Sequence, residues 1–182
     1  MELRWGNSGV DTSFALAECV LYIDLQPEVF DHPTLSTLKK LAGNMVFTIN
    51  VSSSCVSSCS RGLVTNGRGP QDVYSYNKEQ AGGHSANNLI TVIKKDRGVE
   101  LQEAFDVAGQ TFKNDIEGFL RHKELLPSWG AEVDEAVSRY VTGLECWVGE
   151  SLEWSLSGRR YFGESVEEVR KIGRVALAEK VA

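Results

Sequence analysis

No apolar run in the chain approaches the roughly 20 residues that a helix needs to cross a bilayer. Met1 is followed by ELRWGNSG rather than by a basic stretch and an apolar core. On these grounds neither a membrane partner nor a secretory leader is expected, and the expectation is a soluble, cytoplasmic chain. Basic charge is also short: 19 Lys and Arg stand against 25 Asp and Glu, a net charge of −6, and no cluster of Lys and Arg is interleaved with aromatics. Nucleic acid is excluded as a partner on that ground. Cysteine is limited to Cys19, Cys55, Cys59 and Cys146. Only Cys55 and Cys59 are close, and without a second pair or a neighbouring His they do not supply the ligand set of a closed zinc site. Reduced thiols in a reducing compartment are the expected state. His84 and His122 have no partner at ligand spacing and receive no role. No stretch alternates apolar and polar residues with the period of a strand.

Helical periodicity is what is present. At 182 residues, 42% hydrophobic and 9% aromatic, the chain is long and apolar enough for one domain with a sizeable core. From Val99, Leu101, Phe105, Ala108, Phe112, Ile116, Phe119 and Leu120 step by three or four, the period of one buried helical face. Pro127 and Gly130 in LLPSWG end it, and Val133, Val137, Tyr140, Val141, Leu144, Trp147 and Val148 mark a second long helix. FALAECVLYIDL and PTLSTLKKLAGNMVFTI read as helices too, the latter with Pro33 in the first turn, where a missing N–H costs little. The tail ESVEEVRKIGRVALAEKVA is amphipathic, with acids early and bases late. Trp147 and Trp154 share a helical face and are expected to fill core. The class is all-α.

Residues 51–71, VSSSCVSSCSRGLVTNGRGPQ, break this pattern: they are rich in Ser and Gly, without a helical period, and are expected to be loop or disordered. Joining FTIN to DVYSYNKEQ across them gives FTINDVYSYNKEQ. In that joined helix Asn50, Ser75 and Glu79 fall at i, i+4 and i+8 on one face. An amide oxygen, a hydroxyl and a carboxylate are hard donors suited to Mg2+. The bland reading of three such residues on a helix is a solvated face.

The joined NDVYSYNKE matches the form N/D-D-x-x-S/T-x-x-x-E, and with it the chain resembles the class I terpene synthases of the fungal sesquiterpene cyclase type. The likeness runs through most of the sequence. LRWGNSGV is similar to the family's LRRxTSGV, YIDLQPEVFDHP to its lDLPdeVfeHP, and CWVGESLEWSLSGRRYFG to its W…WSxxSxRYFG. The resemblance implies a partial helical bundle of that type, a Mg2+ cofactor held by Asn50, Ser75 and Glu79, and a prenyl diphosphate substrate contacted by Arg4, Lys78, Arg160 and Tyr161. It implies ionisation of the diphosphate, from farnesyl diphosphate by preference, and cyclisation of the cation.

Two features depart from the family. Its first, Asp-rich metal motif lies upstream of the LRR-like segment in relatives and does not occur before Arg4; residues 51–71 interrupt the second. Residues 1–182 are therefore expected to be the C-terminal part of one terpene synthase domain, a fragment without turnover. Residues 51–71 are expected to be a retained intron. Val51-Ser52 can be encoded by GTGAGT, Gln71 by CAG and Thr65-Asn66 by ACTAAC, and 21 codons keep the reading frame. The competing class is a non-catalytic scaffold or binding module that keeps the cyclase shape. An isoprenyl chain-elongating enzyme fits less well, since such enzymes use two Asp-rich motifs. Chain length of the substrate, product skeleton and oligomeric state are left open.

Overall fold

The computed structural model of the chain describes residues 10–49, 74–157, 159–172 and 177–179. Among them the architecture is all-α, without a strand. In chain order the helices are α1 (Val10–Val20), α2 (Pro27–Phe30), α3 (Pro33–Ile49), α4 (Tyr74–Ala81), α5 (Leu89–Arg97), α6 (Leu101–Glu124), α7 (Ala131–Ser157), α8 (Arg159–Phe162) and α9 (Val166–Ile172). Short 3₁₀ turns precede α5 and α9, at Ser85–Asn87 and Gly163–Ser165. The interrupting segment 51–71, with Cys55 and Cys59, lies outside the described residues; α3 ends just before it and α4 begins just after.

The chain forms two compact units, one of residues 1–45 and 115–148, the other of 46–114 and 149–182. In the first, the apolar stripe of α3 buries Leu35, Leu38, Ala42 and Met45, while α7 buries Val137, Tyr140, Val141 and Leu144. Edge-on ring contacts join Phe14 to Trp147 and Phe30 to Tyr140, with centroids 6.4 and 5.3 Å apart. Burial pushes the Tyr140 phenol upward, helped by the Glu18 carboxylate. Asp115 is half-buried, and among the described residues its Oδ2 has no hydrogen-bond partner. Desolvation raises its pKa to about 6 against an opposing hydrogen bond from Asn44.

The second unit is built on Ile90 and Ile93 of α5 and Ala104, Phe105 and Ala108 of α6, with Tyr76, Leu89, Val99, Leu101 and Val107 packed around them. α5 has both of its ends sealed. Asn88 Oδ1 accepts from the backbone N–H of Ile90 at 2.9 Å, and Gly98 at φ 64° turns its N–H back to Lys94 O.

Three expectations change. The helix read through Leu25 stops at Val20, because Tyr22 sits at φ 52° and closes a Schellman motif: Tyr22 N–H donates to Cys19 O at 3.3 Å and Ile23 N–H to Glu18 O at 3.0 Å. Of the tail, the described residues show a helix, α9, over Val166–Ile172, and residues 177–179 are not helical. Trp154 is not core: it is 59% exposed and meets Tyr161 edge-on, whereas Trp147 is half-buried. α7 opens with the Asp134 carboxylate accepting from Ser128 Oγ at 2.6 Å and Trp129 N at 2.7 Å, bonds that hold its pKa low.

Candidate functional site

α4 is eight residues long, YSYNKEQA, and carries no apolar stripe. A helix this short does not persist in water by itself, so its position depends on what its side chains grip. Tyr76 anchors one side, edge-on to Phe105 of α6 with centroids 5.5 Å apart, and burial raises its phenol pKa. Asn77, 92% shielded from solvent to judge by its 8% exposure, accepts the backbone N–H of Ala178 at 2.6 Å; Gln80 Nε2 donates to Ala178 O, also at 2.6 Å. Two amides one turn apart therefore hold both polar groups of a single residue near the C-terminus.

The face bearing Ser75 and Glu79 is organised by Asn88. Its Nδ2 donates to Ser75 Oγ at 3.2 Å and to Glu79 Oε2 at 3.0 Å. The hydroxyl and the carboxylate, four positions apart, thus share a face of α4, as the helical period requires. Both are half-buried, and Lys78 beside them is exposed. α8, whose backbone carries Arg160 and Tyr161, packs against α4. Tyr161 is half-buried between Trp154 and Phe162, with centroids 6.3 and 6.5 Å away. Arg4 and Asn50 lie outside the described residues, as does the side chain of Arg160.

The predicted site residues that can be followed thus gather on α4 and α8: Ser75 and Glu79 face the same amide, and Tyr161 lies on the helix packed against theirs. Hydroxyl and carboxylate oxygens on one face suit a hard cation such as Mg2+. Among the described residues no group of three or more His, Cys, Asp or Glu could hold a metal ion. Cys19 and Cys146 are exposed and free. His84 is exposed, and His122 Nδ1 lies 2.8 Å from Gly118 O of its own helix.

Sequence reasoning missed Asn88, Asn77 and Gln80. For Asn88 a partial signal exists, since an Asn directly before the apolar run LITVI is a preferred helix start. Its donation to two residues of α4 has no counterpart in local sequence, and neither does the grip of Asn77 and Gln80 on Ala178.

No helix among the described residues is long and apolar enough to cross a membrane. The sequence profile of "Terpene synthase family 2, C-terminal metal binding" matches residues 1–117. Sesquiterpene synthase 3 of Postia placenta is 38% identical over 97% of this chain and 42% of its own length. Sesquiterpene synthase 6 of the same fungus is 35% identical over 99% and 46%. Alpha-muurolene synthase of Coprinopsis cinerea is 33% identical over 97% and 36%. The chain spans less than half the length of each of these relatives. With the family profile on more than half of its residues and an oxygen-bearing helix in the matched part, this chain belongs to the terpene synthase family 2 proteins.

Proposed function

We propose that the chain carries the second metal motif and the diphosphate-closing Arg-Tyr pair of a Mg2+-dependent cyclase acting on a prenyl diphosphate, with farnesyl diphosphate as the favoured substrate. The observation that carries this reading is the pairing of Ser75 and Glu79 oxygens on one face of α4, with the Arg160-Tyr161 helix packed against it. Ser75, Glu79 and Asn50 would hold the metal, which when bound supplies positive charge to the departing diphosphate. Around it the chain's own groups do the binding. The guanidiniums of Arg4 and Arg160 can fork onto phosphate oxygens, Lys78 adds a point charge, and the Tyr161 hydroxyl donates. Aromatic rings such as Trp154 and Tyr161 offer faces to a cation.

In the chain as it stands, Asn50 and Ser75 are 25 positions apart instead of four, so a rigid helix no longer sets the distance between them. The reading assigned to residues 51–71 is a translated intron, supported by the flanking helices α3 and α4 and by the complete motif that excision restores. The 182-residue chain accordingly has no detectable turnover of farnesyl diphosphate. Three measurements test this. Calorimetry of inorganic diphosphate binding with Mg2+ should give a signal that Glu79→Gln removes; binding indifferent to Glu79 favours the non-catalytic scaffold. Transcript sequencing should yield an mRNA lacking the codons for 51–71, and a mature transcript that always retains them overturns the intron reading. Full turnover by the 182-residue chain overturns the claim of inactivity.

A further inference from the structure

Asn88 is 2% exposed and uses both ends of its amide. Its Oδ1 accepts from Ile90 N–H at 2.9 Å and starts α5, so the orientation of the amide is decided by the cap. The nitrogen is thereby turned toward α4, where it donates to Ser75 Oγ and Glu79 Oε2 at 3.2 and 3.0 Å. One side chain therefore joins the start of a helix rooted in the core, through Ile90 at 0% exposure, to the two oxygens of a helix with no apolar stripe of its own.

We propose that Asn88 is the positioning residue of the metal helix: its amide sets the separation and orientation of the Ser75 hydroxyl and the Glu79 carboxylate before any cation arrives. The proposal rests on the reading of Ser75 and Glu79 as ligands. The physical ground is that an oxygen ligand held by a buried donor spends less freedom on meeting a cation, and a bond to Oε2 fixes the plane of the carboxylate. A donor is also the right partner chemically, because an amide N–H withdraws no ligand from the cation and adds no competing negative charge. The cap on α5 is what makes the arrangement rigid: the amide cannot flip without orphaning the buried Ile90 N–H.

The test separates positioning from capping. Asn88→Ser keeps a good N-cap oxygen but is too short to reach α4; Asn88→Asp keeps shape and cap but cannot donate to Glu79. The full chain is followed by hydrogen exchange without metal, and by paramagnetic broadening of the backbone amides of residues 74–81 during titration with Mn2+ alone. In both variants exchange over 74–81 should rise about tenfold while 89–97 and 101–124 stay unchanged. In Asn88→Ser the Mn2+ midpoint should move up by about tenfold, the usual loss when a group that orients a ligand is removed. Unchanged exchange over 74–81 overturns the proposal, and so does an equal rise over 89–97, which marks a cap and nothing more. A faster α4 whose Mn2+ midpoint is unmoved also overturns it, provided Glu79→Gln moves that midpoint. If Glu79→Gln leaves Mn2+ binding at the wild-type level, the ligand reading itself fails, and the metal-free exchange alone decides whether Asn88 holds α4.

Discussion

Along α3, Leu35, Leu38, Ala42 and Met45 recur every three or four residues, and all are buried. Along α4, Asn77 is the one buried side chain among those described, and the helix is located by Tyr76 and by hydrogen bonds to Asn88 and Ala178. These two helices flank residues 51–71 and, joined, would form one metal motif, yet different forces hold them. Burial of an apolar stripe is non-directional and tolerant of small shifts. Hydrogen bonds from buried amides are directional and fail when one partner moves. On the proposed reading, the helix that would bind a cation is thus held in the way that fixes atoms most closely, and α3 in the way that costs most to undo.

The largest expected effect breaks the apolar side. Leu38→Ala on α3 removes a side chain with 0% exposure and should cost about 3 kcal/mol of global stability in urea denaturation, through lost burial and the cavity left behind.

Asp115 is a polar exception within the apolar-held unit. Its folded pKa of about 6 lies above the ordinary 3.8. Between those values the folded chain keeps a proton that the unfolded chain has released, so stability falls as pH rises from about 4 to about 6 and stays lower above. Asp115→Asn should therefore stabilise the protein at pH 8 by about 1 to 2 kcal/mol, a figure already reduced for its partial exposure. At pH 3 the gain should vanish. Denaturation at the two pH values checks the sign.

On the polar side, Asn77→Ala cuts the bond to Ala178 and should cost about 1 kcal/mol. The loss should appear as faster hydrogen exchange confined to residues 74–81 and 177–179, with α3 unaffected. A uniform loss across both helices would erase the contrast between them.

Smallest is Tyr22→Gly. Tyr22 holds φ 52° at the end of α1 and is 88% exposed, so the substitution relieves backbone strain without losing packing. A gain of about 0.5 kcal/mol, after the extra entropy of glycine in the unfolded chain, should raise the melting temperature slightly.

Most of the helices could be read from spacing. The period of α3, α6 and α7 is carried by side chains most of which are buried, from Leu35 to Met45, Phe105 to Phe119 and Val137 to Val148, with Ile116 and Trp147 half-buried and Leu120 exposed. Where the reading failed, a single backbone event or a missing neighbour was responsible. Tyr22 adopts a left-handed conformation that its side chain does not announce, and Trp154 lies on the right face of α7 but emerges 59% exposed. Ser75 and Glu79 were legible as a pair because a helix repeats every 3.6 residues.

By itself the sequence determined which segments are helical, which of their faces are apolar, and that Ser75 and Glu79 share a side, since periodicity and turn residues are local properties. Only the tertiary structure decided that Asn88 bridges Ser75 and Glu79 and that Asn77 and Gln80 grip Ala178. Those bonds join residues up to 101 positions apart in the chain. Nothing in local spacing encodes them, because a buried amide takes as partners whichever polar groups the packed core brings within reach.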